Sequence, residues 1–221
     1  MSEYSIFDVI GPIMIGPSSS HTAGAARLGK VARIIGGENI KEVDFFLHGS
    51  FGKTYKGHGT DKALVAGILG MDPWDENLRH SFTIAEKKGI KYQFIEKDLG
   101  DVHPNTVRFI LRKENDEMVV IMGSSIGGGN IVITEIDGIP MEFTGSYPTI
   151  ITVHRDMPGV ITQITNTISN ENINIAQMKV FREKKGGKAI MIIETDSEIN
   201  NDIIDSIGKV EAVDGVKIIN M

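Results

Sequence analysis

Hydrophobic and polar positions are most regular in the last third of the chain, where strand and helix spacing follow one another. After a β-branched run, TIITVHR (149–155), Val160, Ile164 and Ile168 recur at helical spacing. A second apolar helix face is predicted within 200–213, and strand-like runs flank the turn EKKGG. The order β-α-β-β-α-β predicts a ferredoxin-like fold for this region.

The first two thirds of the chain mix the two periods. Leu28, Val31 and Ile35 share one face of a predicted helix within AGAARLGKVARIIGG, and the glycines at its end stop it. Further helices are expected at 60–70 and 77–89, and strands at 43–49 and in five runs between 90 and 145. The fold class is therefore α+β. We divide the chain into a mixed α/β domain, 1–146, and a ferredoxin-like domain, 147–221, at the turn residues of TGSYP.

Glycines cluster between these elements. The chain has 25 glycines, and their clustering predicts loops in which the backbone approaches a ligand or another chain. We expect such a loop from the end of the strand at His48 to a helix that starts at Thr60 or Asp61. The segment GSSIGGGNI (123–131) is expected to be either a flexible loop or a segment that lies against a ligand or partner.

Composition and charge exclude several function classes. The net charge is −6 with no basic block, which argues against nucleic-acid binding as the main task. No apolar run approaches the roughly 20 residues of a membrane span, and MSEYSIFDVI does not resemble a signal peptide, so we expect a cytoplasmic protein. The chain has no cysteine, which excludes disulfides and any thiolate-ligated metal site built from this chain alone.

The stretch IGPSSSHTAG (15–24) runs directly into the first predicted helix. Ser20 or Thr22 is a candidate N-cap, and a helix start with its unpaired N–H groups suits a carboxylate or phosphate. Neighbouring hydroxyls and the His21 imidazole add hydrogen-bonding groups. For any single serine the better interpretation is a capped helix with a serine-rich lead-in, whereas the whole string favours an anion site.

Three further stretches can carry chemistry. His58 lies between two glycines, and its unperturbed pKa of about 6.5 suits a base; the alternative is a solvated turn. His103 is held extended by the following proline, beside Asn105; the alternative is an Asx-type turn. RDMPG (155–159) connects a strand to a helix, and it forms either a plain turn or a site for a small effector carboxylate.

Together these motifs resemble a known family. IGPSSSHTAG, YKGHGTDKA and HPNT occur in the order seen in the β-subunit of iron–sulfur-dependent L-serine dehydratase. The last 73 residues or so, with RDMPG as the signature loop, resemble an ACT domain, a regulatory amino-acid-binding module. The N-terminal domain of this family resembles the allosteric substrate-binding domain of some phosphoglycerate dehydrogenases.

The resemblance implies an L-serine ammonia-lyase, a carbon–nitrogen lyase that converts L-serine to pyruvate and ammonia. It implies a [4Fe–4S] cluster held by cysteines of a separate α-subunit, so that this chain contributes no metal ligand and is active only with that partner. Homodimerisation through the ACT domain is a further expectation. The alternative is a non-catalytic serine-sensing module of the phosphoglycerate dehydrogenase type, and a third possibility is a structural assembly subunit. The glycine- and proline-framed histidines favour catalysis over sensing.

The resemblance also assigns residue roles. His58 is the expected base, and His103 assists or orients. The residues expected to hold substrate are Ser18, Ser19, Ser20, His21, Thr22, Lys53, Asp61 and Asn105. The residues expected to hold an ACT effector are Asp156, Pro158, Gly159, Asn174 and Ile175.

Overall fold

The computed structural model describes residues 12–220 of the chain, so the N-terminal segment behind the targeting expectation lies outside the described residues. The chain divides into two compact units, which meet between residues 138 and 139. The boundary predicted after residue 146 falls eight residues further on, between two strands of the second unit, and it stays a prediction. In the part of the chain described, no helix is long and apolar enough to cross a bilayer.

The first unit is a mixed sheet with helices. Its elements are α1 (Ala25–Gly36), β1 (Ile40–Leu47), α2 (Gly49–His58), α3 (Thr60–Ile68), α4 (Ser81–Lys87), β2 (Lys91–Glu96), β3 (Thr106–Lys113), β4 (Met118–Gly127) and β5 (Asn130–Ile136). A π-helical turn, Ser19–Gly24, leads into α1, and a 3₁₀ turn, Glu76–His80, leads into α4. The strand order is β2-β1-β3-β4-β5, with β6 (Ile139–Phe143) after β5. Strands β1 and β2 pair in parallel, and the pairs β1–β3, β3–β4 and β4–β5 are antiparallel. The mixed α/β prediction is confirmed.

Helices α1 and α3 approach each other through two glycines. A Cβ atom added to Gly29 would lie 2.4 Å from the Leu64 carbonyl oxygen, and one added to Gly67 would lie 2.2 Å from the Ala26 carbonyl oxygen. Because these neighbours are backbone atoms, they cannot rotate away as a side chain would. The close contact positions the start of α1, where the serine-rich stretch lies.

Two expectations for glycine-rich segments are wrong. The segment after His48 is a helix, α2, because the side chain of Phe51 is fully buried and Gly52 lies against Leu47 and Glu96, so packing outweighs the low helix propensity of glycine. Its left-handed Gly59 ends the helix. The flexible-loop alternative for 123–131 is likewise wrong, since β4 extends to Gly127 and pairs with β3 and β5, whereas contact of this segment with a ligand or partner stays a prediction.

The second unit has the predicted ferredoxin-like order. After β6 come β7 (Thr149–Arg155), α5 (Val160–Asn170), β8 (Ile175–Arg182), β9 (Lys188–Thr195), α6 (Asp202–Gly208) and β10 (Val213–Ile219). The last four strands form an antiparallel sheet in the order β10-β7-β9-β8. The predicted helix faces are buried against it; the core comprises Ile150, Val160, Ile164, Ile168, Met191, Ile193, Ile199, Ile203, Ile207 and Ala212. The β-α-β-β-α-β prediction is confirmed.

A buried histidine makes the stability of the second unit sensitive to acid. His154 is 2 % exposed, and burial lowers its pKa, although Asp156, a hydrogen bond with the Thr152 backbone and Asp214 act in the opposite direction. Its folded pKa therefore lies below the unfolded value, so acid favours the unfolded state once the pH falls below about 6.5.

We expect His154→Asn to reduce the loss of unfolding free energy between pH 7.5 and 5.5. The difference from the wild type is at most about 1.4 kcal/mol, one pH unit of linkage for one group. Urea unfolding at both pH values measures it. His80→Asn, at an exposed histidine, is the matched control, and an unchanged pH dependence in His154→Asn would contradict the assignment.

Candidate functional site

The serine-rich stretch forms the wide turn that begins α1. The side chain of Ser18 is the N-cap, since its Oγ accepts a hydrogen bond from the His21 N–H at 3.1 Å; the prediction of Ser20 or Thr22 as the cap is wrong. Ser18 also contacts the Ser20 hydroxyl at 3.3 Å. The hydroxyls of Ser18, Ser19 and Ser20 belong to half-buried residues. The turn thus presents polar groups at the end of a helix.

His21 is fixed between two hydroxyl groups. Its Nδ1 hydrogen-bonds with Ser20 Oγ at 3.1 Å, and its Nε2 hydrogen-bonds with Ser50 Oγ at 3.1 Å. The ring also meets the Phe51 ring edge-on, with centroids 5.3 Å apart. These contacts join the π-helical turn before α1 to the first turn of α2.

The two motif histidines lie side by side. The ring centroids of His21 and His58 are 5.0 Å apart, and the Thr22 hydroxyl donates a hydrogen bond to the His58 carbonyl oxygen at 3.4 Å. Burial and, after it, the neighbouring His58 lower the pKa of His21, so His21 is neutral near pH 7. His58 is exposed, and within residues 12–220 nothing hydrogen-bonds to its ring. The ring nitrogens of His58 are therefore accessible to a bound molecule.

The HPNT segment reaches the same region through backbone hydrogen bonds. The Pro104 carbonyl accepts a hydrogen bond from Phe51 N–H at 3.3 Å, so this segment lies against the first turn of α2. His103 Nδ1 accepts a hydrogen bond from the Asn105 N–H at 3.1 Å, which leaves the proton of the neutral ring on Nε2. In that form His103 presents a donor, which suits orienting a ligand better than abstracting a proton.

Serine residues of β4 complete this region. Ser125 lies directly against the turn, because a Cβ atom on Gly24 would be 2.0 Å from its Oγ. The Ser125 N–H donates to the Asn105 carbonyl oxygen at 3.0 Å. Thr60 Oγ1, Asn105 Oδ1 and Ser125 Oγ are buried without a hydrogen-bond partner in the structure. Such groups normally find partners, and Thr60 and Asn105 belong to two of the motif segments, whereas Ser125 lies against the turn from β4.

Two predicted substrate ligands lie apart from this cluster. Lys53 is exposed and lines a cavity with His48 and Glu96. Asp61 lies in the first turn of α3, where burial raises its pKa, and its carboxylate accepts a hydrogen bond from the Lys62 N–H at 2.8 Å. Among the described residues, neither side chain hydrogen-bonds to His21 or His58.

Residues 12–220 supply no ligand set for a metal cluster. The chain has no cysteine, and residues 12–220 contain no group of three or more histidine, aspartate or glutamate side chains placed to hold a metal ion. The residues present therefore do not fit a [4Fe–4S] cluster, and such a group would need ligands from another chain.

The effector residues predicted in the second unit do not form one cluster. Asp156 accepts hydrogen bonds from Arg182 at 2.9 Å and from the Gly186 N–H at 3.1 Å, and these contacts lower its pKa. Asp156, Pro158 and Gly159 line a cavity of about 430 Å³. Asn174 and Ile175 lie at the other end of β8 from Arg182, and Asn174 hydrogen-bonds to Asp196. Within one chain, the two groups are separated by the length of a strand.

Sequence reasoning missed the hydroxyl groups of Ser50, Ser124 and Ser125. Ser50 holds His21, Ser124 hydrogen-bonds with Thr106 at 2.6 Å, and Ser125 lies against the turn. Ser50 stands two residues after His48 in HGSFGK, so its position within a motif was the available signal. The β4 serines carried no signal that joins them to residues a hundred positions earlier.

Two family models match the chain, one in each compact unit. A family model described as "Serine dehydratase beta chain" matches residues 5–90, and one described as "ACT domain" matches residues 149–212. The D-3-phosphoglycerate dehydrogenase of Bacillus subtilis (strain 168) is 35% identical over 202 residues, which cover 89% of this chain and 37% of that protein.

Two relatives match almost from end to end. The "Probable L-serine dehydratase, beta chain" of Bacillus subtilis (strain 168) is 44% identical over 95% of this chain and 94% of its own length. The "L-serine dehydratase, beta chain" of Peptoniphilus asaccharolyticus is 42% identical over 96% of each chain. The chain belongs to the family of L-serine dehydratase beta chains.

Proposed function

We propose that this chain is the β-subunit of an L-serine dehydratase that produces pyruvate and ammonia together with a cysteine-bearing α-subunit. The observation that carries the proposal is the convergence of His21, His58 and the serine hydroxyls at the start of α1. This arrangement offers a carboxylate site and a free imidazole within one small region. The names of the two end-to-end relatives support the same activity.

The reaction requires two groups to leave the substrate. Loss of the Cα proton and of the Cβ hydroxide yields 2-aminoacrylate and water, and hydrolysis of its imine tautomer yields pyruvate and ammonia. We assign removal of the Cα proton to His58, because its ring is exposed and forms no hydrogen bond with any described residue. The substrate carboxylate lies at the serine-rich turn, where hydroxyls and the helix start favour a negative charge.

The surrounding residues position these groups. His21 stays neutral, so it adds no positive charge beside the base when His58 takes up the proton. His103 donates a hydrogen bond to the substrate from Nε2. The buried Oδ1 of Asn105, which has no partner in the structure, accepts one from the substrate. A [4Fe–4S] cluster held by cysteines of the α-subunit would supply Lewis-acid chemistry for the leaving hydroxide, since this chain has no cysteine and residues 12–220 contain no cluster of metal-ligating side chains.

A regulatory role is the second candidate function. Its support is the similarity of nearly the whole chain to part of a phosphoglycerate dehydrogenase. In that case serine binding shifts a conformational equilibrium and no bond of serine breaks. A pure sensor has no use for a free imidazole beside its carboxylate site, which is why we favour catalysis.

Reconstitution separates the two functions. We expect no pyruvate from the purified chain with L-serine, and turnover when the chain is co-expressed anaerobically with a cysteine-bearing α-subunit. A coupled assay for pyruvate measures the reaction, and the α-subunit alone is the control. Serine binding by the complex without any pyruvate would favour the sensor, and pyruvate from this chain alone would contradict the two-subunit proposal.

We also propose that the ACT domain pairs with a second copy of itself. Strand β8 is an edge strand, and Met178 and Val180 on it are 40% and 38% exposed. An apolar edge strand offers unpaired backbone groups and apolar side chains to another strand.

A further inference from the structure

Three serines and His21 form one continuous series of hydrogen bonds, which we call the His21 network. Ser18 Oγ contacts Ser20 Oγ at 3.3 Å, Ser20 Oγ contacts His21 Nδ1 at 3.1 Å, and His21 Nε2 contacts Ser50 Oγ at 3.1 Å. A hydroxyl donates and accepts, whereas a neutral imidazole donates from one nitrogen and accepts at the other. The network therefore runs in one of two directions, according to which nitrogen of His21 carries the proton.

Ser50 occupies a fixed position at one end of the network. Before it, Gly49 lies against the backbone of Pro104, where an added Cβ atom would be 2.8 Å from the carbonyl oxygen. After it, the side chain of Phe51 is fully buried. Both neighbours hold the first turn of α2 in place, so the Ser50 hydroxyl meets Nε2 of His21 from a defined side.

The surroundings of Ser50 favour one direction. Within residues 12–220, His21 Nε2 is the only group that hydrogen-bonds to its hydroxyl. If Nε2 carried the proton, the O–H of half-buried Ser50 would have no acceptor among these residues. If Nε2 is unprotonated, the Ser50 O–H donates to it, and Nδ1–H donates to Ser20. Because polar groups with little exposure normally have partners, the second direction is favoured.

The direction decides what Ser18 and Ser20 offer to a ligand. With the proton on Nδ1, Ser20 accepts from the ring and Ser18 accepts from the His21 N–H, so the imidazole uses neither hydroxyl proton. The two hydroxyls share one mutual contact, and one proton is left for an anion. With the proton on Nε2, Ser20 would donate to the ring and Ser18 to Ser20, and no proton of the pair would be left.

We propose that Ser50 is a positioning residue for substrate binding: by donating to Nε2 it keeps the His21 proton on Nδ1, and this directs a hydroxyl donor of Ser18 or Ser20 to the substrate carboxylate. Ser50 acts through His21 and does not touch the substrate. A hydroxyl that donates to a carboxylate forms a charge-assisted hydrogen bond, which is stronger than a neutral one. The inference rests on the proposed function for the identity of the anion, whereas the position of the proton is a property of this chain alone.

Nitrogen-15 NMR of the full chain, labelled at its histidines, tests the position of the proton without any partner subunit. The chain has six histidines, and the ring signals of His21 are those that are missing in His21→Asn. Long-range proton–nitrogen correlations distinguish a protonated ring nitrogen from an unprotonated one. Near pH 7 we expect the proton of His21 on Nδ1. A proton on Nε2 in the wild type overturns the proposal.

Substitutions of Ser50 test whether its hydroxyl sets this position. Ser50→Ala removes the donor to Nε2, so a signal for protonated Nε2 should appear, and Ser50→Thr, which keeps a hydroxyl, should restore the wild-type spectrum. Ser169→Ala, at an exposed serine of α5, is the matched control and should leave the ring signals of His21 unchanged. An unaltered His21 spectrum in Ser50→Ala would show that Ser50 does not direct the network.

Kinetics of the reconstituted two-subunit enzyme test the effect on substrate. Ser50→Ala should raise KM for L-serine by about tenfold, the lower range for a lost hydrogen bond to a charged group, with a much smaller change in kcat. Ser50→Thr should recover the wild-type KM. A wild-type KM in Ser50→Ala, or a loss confined to kcat, contradicts the positioning role. Absence of pyruvate from every assembly, the wild type included, would contradict the proposed function alone, and the NMR result would still decide the position of the proton.

Discussion

In the reconstituted two-subunit enzyme, His58→Asn is expected to lower kcat by about 100- to 10,000-fold, the usual range for removing a general base. The side chain is exposed at the end of α2, so the substitution removes the imidazole without opening the core. The proposed carboxylate site at Ser18 and Ser20 is unaltered, and KM should therefore change much less than kcat. Steady-state pyruvate formation measures both.

The matched control for this experiment is His80→Asn. His80 is exposed in the 3₁₀ turn before α4, and it has no assigned role, so activity should remain at the wild-type level. The absorbance of the α-subunit cluster should be equal in both variants, which shows that assembly is intact. A His58→Asn enzyme with full activity would remove this histidine as the base.

Gly67→Ala is expected to destabilise the first unit by about 3 kcal/mol or more. The added methyl group would lie 2.2 Å from the Ala26 carbonyl oxygen and 2.6 Å from the backbone nitrogen of Lys30, so α1 and α3 must separate to admit it. Separation also removes contacts of the apolar residues between the helices. Urea or thermal unfolding of the full chain measures the change.

Gly57→Ala is the control for the methyl group itself. A Cβ atom at this position of α2 has no neighbour within 4 Å, so the substitution should be neutral or stabilise by about 0.5–1 kcal/mol through a less flexible unfolded chain. Equal stability of Gly67→Ala and Gly57→Ala would show that the helix contact tolerates a side chain.

The second unit was predictable because its buried residues recur at regular spacing in the sequence. Val160, Ile164 and Ile168 recur at helical spacing, and all three are buried in the core as expected. Local periodicity identifies such elements because each apolar face covers one sheet. By contrast, α2 was mistaken for a loop, because its three glycines give it a low helix propensity. The burial of Phe51, which stabilises the helix, depends on tertiary contacts that the local sequence does not show.

The candidate site was predictable in its segments and only partly in its contacts. The motif strings contain the residues that converge, including His21 and His58. The hydroxyl that holds His21 comes from Ser50, 29 residues later, and no local pattern specifies that distance.

The π-helical turn at Ser19–Gly24 carries one residue more than an α-helical turn of the same span would need. Deleting a single residue there would allow ordinary helix geometry to continue upstream from α1. Everything before the deletion would then rotate by about 100° around the helix axis and shift by about 1.5 Å. A shortened chain would thus keep a regular helix and its buried glycine contact, and yet present its first serine hydroxyls on a different side of the helix axis.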